Sequence, residues 1–147
     1  MLEQALVAFG EYGLEDEYNR ERSPRWRAWY DLTRGRLLAM SVRHLEYILT
    51  CEDIMRSNFL KPETNRIQLK PVATYKAGKI IEARAKEAHR LLTRCLKENP
   101  DTPWALMAQW ELDHELGLEV QQIVIPPPRP STPGPSTPQP TIHLPTL

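Results

Sequence analysis

Cysteine is scarce in this chain, and the little there is forms no pattern. Cys51 and Cys95 are the only two in 147 residues, too few for a disulfide framework. Each falls on an apolar helical stripe, where a free thiol behaves as a small hydrophobe. No run of eighteen apolar residues is present, so no membrane-spanning helix is indicated. The opening MLEQALVAFGEYG carries acidic Glu3 and has no basic segment ahead of its apolar residues, which argues against a secretory signal. A cytoplasmic protein is expected if Met1 is the true start. Nineteen basic side chains are cancelled by nineteen acidic ones, so no global field draws the chain to nucleic acid or to an anionic membrane. Catalytic signatures are missing as well: there is no G-x-S-x-G, no glycine-rich phosphate loop and no paired cysteine nucleophile. The histidines and cysteines show no metal-ligand spacing, since His44 and Cys51 are seven apart and His89 and Cys95 six. The expectation is a protein that is not an enzyme and that holds neither metal nor cofactor.

Proline, by contrast, is abundant and unevenly placed. Of fourteen prolines, nine lie beyond Ile125 among Ser, Thr and Gln. Such a composition cannot bury enough apolar area to offset its ordering entropy. Residues 126–147 are therefore expected to be a disordered or polyproline II tail. Within it Pro127, Pro128, Arg129 and Pro130 resemble a ligand for an aromatic-lined groove, although a linker is the default reading. Residues 1–22 read as a truncated helix and a charged linker. Leu2, Leu6, Phe9 and Tyr12 form a short apolar stripe, as though the last turns of a longer helix remained. Residues 15–22 carry only Tyr18 as an apolar anchor, consistent with a solvated helix or a linker.

The folded part is expected over residues 23–125, an all-α small helical bundle organised around a hairpin at residues 77–118. Ala77, Ile81, Ala85, Ala88, Leu92 and Cys95 recur at four- and three-residue steps and so share one face. Asn99 and Pro100 stop that helix. Thr102 as N-cap and Pro103 at the first helical position start the next. Ala105, Ala108, Leu112 and Leu116 lie on its inner side, Trp104 is expected against Leu92 and Leu96, and Gly117 is placed to cap the helix in a left-handed conformation.

Ser23 and Pro24 open a second, longer helix in the same way. Trp26, Tyr30, Thr33, Leu37, Met40, His44, Tyr47, Cys51 and Ile54 keep four-three spacing along it, a stripe expected to be buried, while Leu38, Val42, Leu45 and Leu49 widen the apolar surface beyond a narrow seam. At about 30 residues it would span roughly 45 Å. Gly35 in its middle marks either close packing or a break. Residues 58–74 lose helical periodicity, and there Ile67 and Leu69 alternate as in a strand. Residues 119–125, EVQQIVI, are β-branched enough to pair with residues 66–70 as a short two-stranded ribbon.

Two clusters resemble chemistry. Asp113, His114 and Glu115 are consecutive, but neighbours on a helix point about 100° apart and cannot converge on one substrate. Arginines interleave with aromatic residues at the start of the long helix, the mixture used on single-stranded nucleic acid. Arg25, Arg27, Trp29 and Arg36 are the candidate partner-binding residues there. Against nucleic acid, Trp26 and Tyr30 belong to the expected buried stripe, and Asp31 stands one turn after Arg27, where the two can pair. A solvated charged face is the stronger reading.

The segments SPRWRA at residues 23–28 and NPDTPWAL at residues 99–106, followed by Glu111-Leu112 and Leu116-Gly117, resemble the helical region that follows the von Willebrand factor A (vWA) domain in bacterial, planctomycete-type proteins. The resemblance covers about residues 10–125. It implies a non-catalytic protein-protein interaction or scaffold module, the C-terminal part of a vWA domain-containing protein, whose partner is its own A domain or another protein. The metal motif of that family, D-x-S-x-S, is absent here, so no metal role is carried onto any residue. The hairpin is also similar in packing to a tetratricopeptide (TPR-like) pair, with Pro100 closing an alanine-rich helix, although no 34-residue repeat recurs.

Overall fold

The computed structural model describes residues 2–11, 14–56 and 59–127. Among the described residues five helices and two strands follow in the order α1 (Leu2–Glu11), α2 (Leu14–Arg20), α3 (Pro24–Met55), β1 (Arg66–Val72), α4 (Lys79–Glu98), α5 (Pro103–Leu112) and β2 (Gly117–Ile123). The fold is thus mostly helical rather than purely so. Most of the proline-rich tail, from residue 128 on, lies outside the described residues, as do Tyr12 and Gly13.

Both expected helix starts form. Ser23 Oγ accepts the Trp26 backbone N–H at 3.3 Å and Thr102 Oγ1 accepts that of Ala105 at 3.2 Å, each with proline at the first helical position. Asn99 ends α4, and the turn closes through Asp101 with φ 61°. The ribbon forms too. β1 and β2 pair antiparallel, with Arg66 opposite Ile123 and Leu69 opposite Val120.

The helix α3 runs unbroken for 32 residues, and Gly35 proves to be a packing position. A Cβ there would lie 2.8 Å from Leu92 Cγ of α4. The face that α3 buries is only partly the expected one: Tyr30 of the stripe is buried, but its middle and later large residues are not. Ala28, Gly35, Leu38, Ala39 and Val42 are buried, whereas Met40 and Tyr47 are 50% and 52% exposed and His44 is exposed. The cause is side-chain size: small residues let the α3 and α4 backbones approach, so the inner face is set by Ala28, Gly35 and Ala39 rather than by the larger stripe.

Gly117 also departs from expectation. The second helix of the hairpin ends at Leu112, five residues before Gly117, and Gly117 opens β2 without a positive φ. Its lack of a side chain serves a close approach, since a Cβ would lie 1.9 Å from the Thr74 carbonyl oxygen. Leu116 is nonetheless buried, in the same cluster as Tyr18, Tyr30, Ala88 and Leu91. That cluster contains a residue of α2, so the N-terminal helices share the core of α3 and α4. Leu32, Leu92, Cys95 and Ala108 form a second cluster, against which Leu96 and Trp104 pack.

Candidate docking surface

The elements place the expected site residues in different surroundings. Arg27 donates to Glu98 at 2.7 Å and to the Tyr18 hydroxyl at 3.3 Å. It does not pair with Asp31. That carboxylate, fully buried, is held instead by the guanidinium of Arg94 on α4 and by the Tyr18 hydroxyl at 3.0 Å. The i, i+4 spacing allowed the Arg27 pair, but burial turns Asp31 inward and leaves Arg27 at the rim. Arg36, seven residues after Trp29 and so on the same side of α3, donates to Glu111 of α5 at 2.9 Å. Arg25 and Trp29 remain at the surface, with Trp29 47% exposed. Arg25, Trp29 and Arg36 therefore share the side of α3 that borders α5, while Arg27 stands apart toward α4.

Around Tyr18 the charges form a network no sequence pattern announced. The Arg94 guanidinium lies 3.7 Å from the centre of the Tyr18 ring and that of Arg27 4.6 Å. Glu15 accepts from Tyr30 at 2.6 Å, from Arg34 at 2.9 Å and from Arg90 and Arg94 at 3.2 Å each. Burial pushes the Tyr18 and Tyr30 hydroxyls up to about 12 and raises the Asp31 carboxyl against the pull of Arg94. Burial likewise takes the Cys95 thiol up to about 11, so it stays protonated near neutrality and is a poor nucleophile. The network's residues are tied to one another across α2, α3 and α4, which marks it as structural.

The outer face of α3 and α5 is different in kind. Met40 and Tyr47 on α3 face outward, and Leu106, Met107 and Trp110 of α5 are 73%, 42% and 57% exposed. Arg36 and Arg43 flank Glu111, itself 3% exposed, at 2.9 and 2.8 Å. One buried carboxylate thereby fixes two guanidinium groups at the edge of the apolar surface. A cleft of about 510 Å³ continues this surface toward the ribbon, lined by Arg43, His44, Tyr47, Trp110, His114 and Leu118 among others. The His114 ring lies 4.4 Å from that of Trp110. Asp113, His114 and Glu115 are all exposed and meet at no common point. Exposed Met, Trp and Tyr beside oriented arginines is the composition enriched at protein interfaces. Sequence spacing alone assigns Met40 and Tyr47 to the core; the signal that could place them outside is the run of small residues on the opposite side of α3.

A smaller cleft of about 380 Å³ lies at the other end of α3, between Ser23, Arg25, Trp26, Trp29 and Trp104. Trp26 stacks on Tyr30 with the rings 5.6 Å apart and Trp29 packs on Phe9 at 6.1 Å.

Among the described residues no cluster of three or more His, Cys, Asp or Glu could hold a metal ion, and no helix is long and apolar enough to cross a membrane. No protein-family model matches the chain, no curated protein matches it, and no solved structure matches it.

Proposed function

We propose that this chain is a non-catalytic protein-protein interaction or scaffold module, cytoplasmic, and the C-terminal helical part of a vWA domain-containing protein. It takes no cofactor, and its partner is its own A domain or another protein. The α4–α5 pair acts as a TPR-like hairpin that holds α5 against α3, and the proline-rich tail extends from the folded body. The observation that carries this reading is the exposed Met40, Tyr47, Met107 and Trp110 surface, with Arg36 and Arg43 set at its edge by Glu111. Apolar surface left open on two helices, rimmed by oriented charge, fits a docking face.

The test is capture of the partner by the full chain and by Met107→Asp and Trp110→Ala variants, alongside the reading frame upstream of Met1. Retention of a defined protein by the parent chain, lost in both variants, is the expected result, as is an upstream D-x-S-x-S. A chain that retains no protein but turns over a substrate overturns the reading.

A second reading, single-stranded nucleic acid on the arginine and tryptophan start of α3, keeps only Arg25 and Trp29 as free groups of its candidate set. The charges of Arg27 and Arg36 are neutralised by Glu98 and Glu111. Binding of this kind would fall steeply with salt and would be weakened by Trp29→Ala.

A further inference from the structure

We propose that the exposed side of α3 between Thr33 and Tyr47, with α5 along one edge, seats an α-helix of the partner whose apolar stripe is flanked by acidic side chains. The inference rests on reading the α3–α5 surface as a docking face, and it names the chemistry that docks there. Thr33, Leu37, Met40, His44 and Tyr47 recur at steps of four, three, four and three. This is the heptad seam by which one helix receives another, yet Met40, His44 and Tyr47 are exposed and Thr33 and Leu37 only half-buried. Three hollows follow the seam. One of about 270 Å³ is lined by Thr33, Arg36, Leu37 and Met40 among others, and one of about 320 Å³ by Arg36, Leu106, Met107 and Trp110. The cleft of about 510 Å³ carries on from Trp110 to Tyr47 and the ribbon. The first two hollows share Arg36 and the last two share Trp110, so they form one groove. A strand does not fit it, because side chains alternating with a period of two lose step with a four-three seam. A helix does, and about four turns cover the roughly 21 Å from Thr33 to Tyr47. Met40 and Met107 can adjust their shape to the side chains that arrive.

Charge selects the kind of helix. Arg36 and Arg43 are seven residues apart and both turn to Glu111 of α5, which sets them along the α5 edge of the seam. Among the described residues Glu111 is the carboxylate that each of them pairs with, so two guanidinium groups share one negative charge and the edge keeps an excess of one positive charge. No acidic side chain lines the two hollows that contain Arg36. Glu115 lines the third at its ribbon end, beside His44 and His114. Acidic residues one heptad apart on an incoming helix match the spacing of the two arginines. Guanidinium groups already held by a buried carboxylate also lose little freedom on pairing. A second copy of this chain is the wrong occupant: it brings the same seam with the same excess, and a two-fold pairing sets arginine beside arginine, where like charge opposes association.

The probe is a labelled synthetic peptide of about four helical turns, with Leu at heptad positions a and d, Glu at e and g, and Ala and Gln elsewhere. Its rows of Glu keep it from pairing with itself. Two controls replace every Glu by Lys or scramble the order of the same residues. Each is titrated with the full chain by fluorescence anisotropy, and circular dichroism follows the helicity of the bound peptide. The Glu peptide should bind and become helical, and the Lys and scrambled peptides should each bind about tenfold more weakly or not at all. Met40→Asp should abolish binding. Arg36→Gln, which leaves Arg43 on Glu111 and so spares the fold, should weaken the Glu peptide and narrow its lead over the Lys peptide. The proposal is overturned if the Glu peptide does not bind, if either control binds as well, if the bound peptide stays unfolded, or if sedimentation shows a dimer of the chain that Met40→Asp breaks. Capture of a partner that Met107→Asp and Trp110→Ala abolish, with the Glu peptide ignored, would leave the docking face standing and remove the acidic helix as its occupant. The Glu peptide bound as expected while no protein is captured would support the helix seam and count against the scaffold role alone.

Discussion

The inner face of α3 is lined by Ala28, Gly35 and Ala39, side chains so small that the helix comes directly against α4, with Leu38 and Val42 filling the remaining space. On the outer face stand Met40 and Tyr47, larger and more apolar, yet about half exposed. Hydrophobicity does not separate the two faces; small side chains admit α4, while bulk is buried only where a partner is shaped for it, as Tyr30 is against Phe9 and Tyr18. A face that admits a neighbouring backbone removes apolar area from water along its whole length, whereas bulky side chains hold a neighbour away unless that neighbour is shaped to receive them. The inner face also carries the buried charge. Asp31 is enclosed with Arg94 and Tyr18, and Glu46 accepts the backbone N–H groups of Lys76 and Ala77 at 2.9 Å each. Polar groups on the inner side thus position α2 and the start of α4, while those on the outer side, Arg36 and Arg43, border open surface.

The sharpest break between the faces should come from Asp31. Asp31→Ala leaves the Arg94 guanidinium without its buried carboxylate and the Tyr18 hydroxyl without an acceptor. The cost should be about 3 to 5 kcal/mol, the range for removing one partner of a buried pair. Paired denaturant curves of parent and variant measure it, and a loss under about 1 kcal/mol, the exposed-pair range, would mean that water reaches the pair and that the inner face is not closed at α2.

Alkaline titration probes the same region without a mutation. Tyr18 and Tyr30 ionise at about 12 in the folded chain against an ordinary value of 10.0. Because the folded pKa is the higher one, the native state binds more protons than the unfolded state in between. Stability is therefore unaffected below pH 10 and declines as pH rises from 10 toward 12. Tyr18→Phe and Tyr30→Phe should each flatten part of that decline. A midpoint of unfolding that is insensitive to pH in this window would place both hydroxyls in water.

Gly35→Ala tests the backbone approach itself. The added methyl would meet Leu92 Cγ at 2.8 Å, an overpacking cost of about 1 to 3 kcal/mol, partly offset by the roughly 1 kcal/mol by which alanine outranks glycine in a helix. The net expectation is a loss of about 1 kcal/mol, and a thermal midpoint that rises instead would show that Leu92 gives way easily.

How much of this could be read in advance depended on how local the interaction is. Helix starts at Ser23-Pro24 and Thr102-Pro103 are written within four residues, and both formed. The ribbon was legible because alternation at Ile67 and Leu69 and β-branching near residue 120 are also local. The face of α3 was not, because apolar residues recur at three- and four-residue steps around more than half of the helix, and small residues carry little weight in a hydrophobic pattern. Asp31 and Arg94 are 63 residues apart, and Asp31 had an arginine one turn away as a nearer candidate. Gly117 was read as a helix cap because its use, passing 1.9 Å from the Thr74 carbonyl oxygen if it bore a Cβ, depends on a strand pairing 45 positions apart, Val72 with Gly117. The exposed apolar face of α3 and α5 stayed hidden for the same reason as the core: identifying what is outside requires knowing what is inside.

The smallest effect should come from the outer face, and it is the one that separates a docking surface from a misjudged core. Leu38 and Met40 are two residues apart on one helix, 8% and 50% exposed. Leu38→Ala should cost about 2 to 5 kcal/mol, the range for a buried leucine. Met40→Ala and Tyr47→Ala should each change stability by no more than about 0.5 kcal/mol, as surface substitutions do. Both values come from denaturation of the isolated chain, where no partner contributes. If Met40→Ala approaches the cost of Leu38→Ala, its side chain is covered in solution, and repeating the measurement over a range of protein concentrations identifies the cover. A cost that grows with concentration means a second copy, since association stabilises the folded state by mass action, while a constant cost places another part of the same chain over α3. If both outer variants are neutral, the surface is free, and the apolar area it exposes is available to a protein partner.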